Sequence, residues 1–155
     1  KILIDGVELV KRTTYSDDRG HLTEIYRVDE PYHNKYNGLL RQVYIVEDED
    51  KGIIRAFHKH KDLWDFFYIS HGSAKFVLID DKPESKTYGI MNIFVLSWKN
   101  KGLLIVPPGV FHGWMSLTTD TQLVSIASHT YSREQPDEVR IPPDSFGVEW
   151  EVKGR

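Results

Sequence analysis

A chain of 155 residues with 40% hydrophobic and 28% charged side chains has the composition of one globular domain, long enough to bury a substantial core. The net charge of −3, with its positive charges scattered, argues against a nucleic-acid-binding surface, and an anionic ligand must be held by a few placed arginines. Cysteine is absent, which excludes disulfides and thiolate chemistry and fits a reducing cytoplasm. No apolar run approaches the roughly 20 residues needed to cross a bilayer, and KILIDGVELVK is too polar and too short for a signal peptide. The expectation is a single cytoplasmic domain, residues 1–155, with neither membrane nor nucleic acid as a partner.

Residues 2–10, ILIDGVELV, read as a strand or hairpin with Asp5-Gly6 as the turn. Asp17-Asp18-Arg19-Gly20 is a second turn, followed by a segment carrying Leu22, Ile25 and Val28, and then a loop from Pro31 to Gly38. LLRQVYIVE, residues 39–47, is β-rich, and the acidic EDEDKG is its solvated turn. Core strands follow in quick succession: IIRAFHKH, DFFYIS, SAKFVLID, NIFVLSW, LLIV, FHGWMSL and QLVSIAS. Short strands at near-regular spacing, separated by Gly, Pro, Asn and Asp turns, predict an all-β sandwich or barrel. The one helical candidate is the polar SREQPDEVR, a turn or two at most. The four tryptophans, Trp64, Trp98, Trp114 and Trp150, read as core or pocket wall.

The chemistry concentrates between Gly52 and Gly72, GIIRAFHKHKDLWDFFYISHG. His58 and His60 stand two apart in a β run, so a strand directs both imidazoles to one face. If the next strand folds back on this one, Asp65 faces them. The turn Pro107-Pro108-Gly109 delivers His112 from a distant segment. Three imidazoles and a carboxylate in a sheet-built pocket point to a catalytic or metal site. Arg55, three residues before His58, falls on the opposite face unless a β-bulge re-aims it. Tyr131 is a candidate general acid.

The spacing G-x5-H-x-H-x4-D-x6-G followed by G-x4-P-x-G-x2-H resembles the two-part signature of the cupins, with Asp65 where Glu is usual. That resemblance implies an all-β double-stranded β-helix, or jelly roll, with its ligand in the barrel mouth. A resemblance covering nearly the whole chain is to the dTDP-4-dehydrorhamnose 3,5-epimerases, carried by DDRGHLTE, IRAFHKH, SKTYG, VPPGVFHGW and the terminal FGVEW. It implies His58 as the base that takes a proton beside a sugar ketone. It also implies that Arg19 and Arg55 contact the nucleotide-sugar, Arg55 at the diphosphate, and that the chain forms a homodimer with Arg19 or Glu24 reaching the partner's site. Three positions depart from that family: its catalytic lysine is Asp65 here, its catalytic tyrosine is Ser125, and the aspartate that orients its base lies in a C-terminal extension beyond Arg155. These departures weigh against the ordinary 3,5-epimerase reaction. HKHKDLWD with GSAKFVLIDD resembles instead the dTDP-4-keto-6-deoxyglucose 3,4-ketoisomerases, in which paired histidines transfer the proton without metal.

Together these imply an isomerase of a nucleotide-linked, dTDP-type 4-keto-6-deoxy sugar needing no cofactor. His58 is the expected base, Asp65 and His60 its orienting or shuttling partners, and His112 the enolate stabiliser. Arg19, Glu24 and Arg55 are the expected substrate-binding residues. Two rivals stand beside it: a metal-dependent cupin using His58, His60, Asp65 and His112 as ligands, and a non-catalytic sugar-binding jelly roll.

Overall fold

The computed structural model describes residues 2–35 and 40–152. Its strands are β1 (Glu8–Lys11), β2 (Thr14–Asp17), β3 (Gly20–Thr23), β4 (Gln42–Asp48), β5 (Ile54–Lys59), β6 (Asp65–His71), β7 (Ser73–Asp80), β8 (Met91–Ser97), β9 (Gly102–Val106), β10 (Val110–Ser116), β11 (Thr121–Ala127) and β12 (Val139–Arg140). A short helix, α1 (Pro31–Lys35), precedes β4. Two five-stranded antiparallel sheets, ordered β1-β9-β6-β11-β4 and β12-β5-β10-β7-β8, face each other, and the β2–β3 hairpin forms a small sheet of its own. This is the expected jelly roll.

The pleat divides the apolar residues into three layers. Phe67 and Ile69 of β6 point inward to meet Phe76, Leu78, Leu104, Val106, Trp114 and Leu123. Their neighbours Phe66 and Tyr68 point outward and, with Leu103, Ile105 and Ile126, pack under Tyr32. On the outside of the second sheet Phe57, Val77, Ile79, Phe111 and Met115 pack with Trp150, and Ile141, Phe146 and Val148 of the C-terminal segment close over them. β6, β7, β9 and β10 are thus covered on both faces, which is why they read as near-continuous apolar runs. Each fully buried Phe, Leu or Ile contributes about 1.5–3 kcal/mol of transfer free energy.

Several expectations need correction. Only Glu8–Lys11 of the N-terminal segment is a strand, paired with β9. Residues Asp5 and Gly6 form the expected turn, but Ile4 and Val7 plug the barrel core instead of extending a sheet. Part of the expected 31–38 loop is α1: Pro31 suits a first helical turn and Tyr32 anchors it to the core. SREQPDEVR forms no helix, since Pro136 lacks the amide a helix interior needs. It lies extended, held where the Asp137 carboxylate accepts from the amides of Lys61, Asp62 and Leu63 at 2.6, 2.9 and 3.0 Å, and it ends in β12. Trp98 is 40% exposed beneath the Lys99 ammonium, not core.

Candidate active site

β5 and β10 run antiparallel with His112 opposite His58, yet Trp114 lies opposite Arg55. Between these pairs two residues of β5, Ala56 and Phe57, oppose one of β10, Gly113, a β-bulge. Gly113 allows it: a Cβ there would stand 2.3 Å from the Ala56 Cβ. The extra residue returns Arg55 to the face that carries His58 and His60. All three line one cavity of about 650 Å³ between the sheets, with Phe67, Trp114 and Leu123 as apolar wall. The Arg55 guanidinium donates to the buried Asp48 carboxylate from Nε at 2.8 Å and from a terminal nitrogen at 2.7 Å.

Asp65 does face His60 and His112, but by a different route from the one expected. β5 and β6 form no hairpin; they belong to opposite sheets, and the groups meet across the barrel interior. The His60 Nε2 and His112 Nε2 atoms lie 3.2 and 3.4 Å from the same Asp65 oxygen, itself almost wholly buried. His60 Nδ1 donates to the Asp137 carbonyl, so both its nitrogens face acceptors. That geometry calls for an imidazolium. Burial opposes the charge, but the Asp65 carboxylate and the Asp137 carbonyl outweigh it and lift the His60 pKa to about 9. His112 goes the other way. Burial, aided by the neighbouring His60 and His58, overrides Asp65 and depresses it to about 4. Neutral His112 donates from Nδ1 to the Val110 carbonyl at 3.2 Å.

Asp65 does not orient His58. Glu138, absent from the expected set, does so: His58 Nδ1 donates to Glu138 Oε1 at 2.5 Å. The second Glu138 oxygen accepts from Arg140 Nε at 2.7 Å. Burial raises the Glu138 pKa, but these two bonds outweigh it and hold the carboxylate below its ordinary range. β12 pairs with β5, Arg140 opposite His58, which draws Glu138 alongside the imidazole. The signal in the sequence was the alternation of Glu138 and Arg140 in a segment misread as helical.

Tyr131 lies at the cavity rim, 55% exposed, and Gln42 and Tyr44 of β4 also line the cavity. Arg19 and Glu24 are not brought to it: Arg19 pairs with Asp17 at the exposed β2–β3 turn, and Glu24 pairs with Arg27 at 2.9 Å. Among the described residues, His60, Asp65 and His112 each offer a ligand atom within 4.8 Å of the others. Both histidines give Nδ1 to a backbone carbonyl, which directs Nε2 at the carboxylate, an arrangement that suits a divalent transition metal. His58, expected as a fourth ligand, is not in that group.

Residues 1–154 match the family model described as dTDP-4-dehydrorhamnose 3,5-epimerase. The spore coat polysaccharide biosynthesis protein SpsL of Bacillus subtilis is 34% identical over 99% of this chain and 100% of its own length. A probable low-salt glycan biosynthesis epimerase of Haloferax volcanii is 29% identical over 91% of this chain and 89% of its own. Among solved structures, NovW, a 4-keto-6-deoxy sugar epimerase of Streptomyces spheroides, superposes with a TM-score of 0.85 at 21% identity over 98% of this chain and 78% of its own, which supports the fold. With a bulged β5 carrying the histidines, a cavity between two antiparallel sheets and a family match along its whole length, the chain belongs to the dTDP-4-dehydrorhamnose 3,5-epimerase family.

Proposed function

We propose that this protein isomerises a nucleotide-linked 4-keto-6-deoxy sugar, dTDP-linked as in its relatives' names, by removing a proton from the carbon beside the ketone. The observation that carries the reading is the Glu138–His58 pair at the cavity wall. Its Nδ1–H is committed to Glu138, so in the neutral ring Nε2 is left as the basic atom. The ketone acidifies the neighbouring C–H bond; a placed base contributes about 10²–10⁴-fold, and charge near the enolate oxygen supplies much of the rest. The His60 imidazolium and Arg55 make that wall cationic, and Arg55, half-exposed and braced by Asp48, suits the diphosphate. Neutral His112 gives its N–H to Val110, so its part in holding the enolate is secondary to theirs. Arg19 and Glu24, remote from their own cavity on or beside an exposed hairpin, act across a two-fold in a homodimer. Light scattering that finds a monomer at micromolar concentration refutes that arrangement.

The test is hydrogen exchange. In D2O a dTDP-linked 4-keto-6-deoxyhexose is expected to gain deuterium beside the ketone as product forms. His58→Asn is expected to reduce both by at least about a hundredfold, the low end for a general base, with binding nearly intact. Neither exchange nor product from the parent protein, across several nucleotide-linked 4-keto sugars, refutes the assignment.

A second reading rests on the Nε2 atoms of His60 and His112 flanking Asp65, a set fit to bind a divalent transition metal that would act as a Lewis acid. Elemental analysis and melting with and without a strong chelator separate the two. The proton-transfer reading expects no chelator-dependent melting shift; stoichiometric metal, with melting lowered by its removal, selects the second.

A further inference from the structure

The cavity has two opposed walls. β5 and β10, with the segment entering β12, supply His58, His112 and Glu138 from the second sheet; β4, β6 and β11 supply the other side. Facing sheets stand about 10 Å apart, room for a sugar ring lying between them. On β4 the pleat sends Gln42, Tyr44 and Val46 toward the cavity, while Val43 and Ile45, 60% and 57% exposed, face outward. Among the described lining residues of β4, β6 and β11, two carry an ionisable side chain, Tyr44 and Asp65. Asp65 is committed to His60 and His112. Tyr44 is not so committed. It stands directly across the strand pair from Ser125, a fully buried residue whose hydroxyl makes no hydrogen bond to any described residue.

We propose that Tyr44 is the proton donor at the face of the sugar ring opposite His58, which makes this an inverting site. The inference rests on the isomerase reading above. His58 removes the proton beside the ketone, and the C–H electron pair becomes the enolate double bond as the carbonyl oxygen takes the negative charge. The Tyr44 O–H bond then breaks and its proton joins the same carbon from the other face, using the enolate pair and re-forming the ketone. The protein is left with a Tyr44 phenolate and a His58 imidazolium, which reset by taking a proton from water and losing one to it. Although 42% of Tyr44 is exposed, desolvation by the cavity walls raises its phenol above the ordinary pKa and the Asp65 and Glu138 carboxylates add to this, so the phenol carries its proton when the enolate forms. Tyr131, at the rim on the loop after β11 and joined to Gln42 through its backbone amide, is less well placed to follow the ring inward.

The experiment follows exchange and inversion separately, with a dTDP-linked 4-keto-6-deoxyhexose in D2O. Tyr44→Phe is expected to keep the parent's rate of deuterium entry into unreacted sugar, through His58 alone, while inverted product falls at least about a hundredfold. A Tyr131→Phe protein that loses inversion while keeping exchange overturns the proposal. Inverted product from the parent must carry a solvent deuteron at the inverted carbon, a result that does not depend on the variant folding. Unlabelled inverted product overturns the proposal. So does a Tyr44→Phe protein that inverts at a parental rate, or one that binds dTDP normally but loses exchange as well. If the parent itself neither exchanges nor inverts, the isomerase reading fails; if it exchanges and moves the ketone without inversion, that reading stands and Tyr44 is not an inverting donor.

Discussion

The two histidines around Asp65 make opposite demands on pH, and the protein's stability records both. Folding lifts the His60 pKa from the ordinary 6.5 to about 9, and the difference is worth roughly 3 kcal/mol. The sign follows from proton counts. Below about pH 6.5 the imidazole is protonated folded and unfolded, and the contribution is fully present. Between 6.5 and about 9 the unfolded chain has lost that proton while the folded one holds it, so stability falls as pH rises, and above about 9 the contribution is gone. At roughly 2–4 °C per kcal/mol for a domain of this size, the alkaline loss is about 6–12 °C of melting temperature. His112 acts on the other side: its folded pKa lies near 4, so its contribution is present above 6.5 and is lost as pH falls toward 4. Urea titrations at half-unit steps from pH 6 to 10, with chelator present, read the alkaline limb directly. His60→Gln is expected to abolish most of that limb whatever it does to stability at pH 6.5. A flat parent profile between 6.5 and 9.5, or an equal slope in the variant, refutes the ion pair.

Two further perturbations probe the same site. Glu138→Gln keeps an acceptor for His58 but removes its charge; kcat is expected to fall about 10- to 100-fold, the usual cost of losing an outer partner of a functional histidine, with dTDP affinity and melting temperature little changed. Gly113→Ala forces a Cβ to within 2.3 Å of the Ala56 Cβ; a loss of about 1–3 kcal/mol by urea titration is expected, with weaker nucleotide binding as Arg55 loses its bulged setting.

An all-β sandwich or barrel was legible because the strands are short, apolar and punctuated by turn residues, and the resemblance to the cupin signature narrowed it to a jelly roll. Which strand lies beside which was not. Period-two patterning places His58 and His60 on one face, but it carries no information on whether Asp65 arrives from the same sheet or the opposite one. The bulge was foreseeable only as a condition on Arg55, since the contact that produces it, Gly113 against Ala56, joins segments far apart in the chain. Glu138 was hidden for a related reason. Its segment is polar and holds Pro136, and it acquires meaning through Asp137, whose carboxylate clamps the loop between β5 and β6. α1 was missed because a five-residue helix leaves no periodic trace, and its anchor is one tyrosine.

The departures from the family pattern look like losses when read singly and like relocations when read in space. Where the resemblance implies a lysine, Asp65 removes a cation from β6, but His60, held as an imidazolium at 3.2 Å from it, places a cation in the same cavity from β5. Glu138 bonds His58 because β12 pairs with β5, and on the proposed reading it orients the base as the family's aspartate does. Ser125 stands where a tyrosine was expected, and its cross-strand neighbour is Tyr44. A proton-transfer site needs an oriented base, positive charge near the forming enolate and a proton donor; it does not need each from a fixed position. Strand pairing makes such exchanges accessible, since cross-strand neighbours have Cβ atoms only about 4.5–5.5 Å apart, within a tyrosine's reach. Family membership and altered catalytic positions are therefore compatible in this chain, because function constrains which groups meet in the cavity more tightly than which strand carries them.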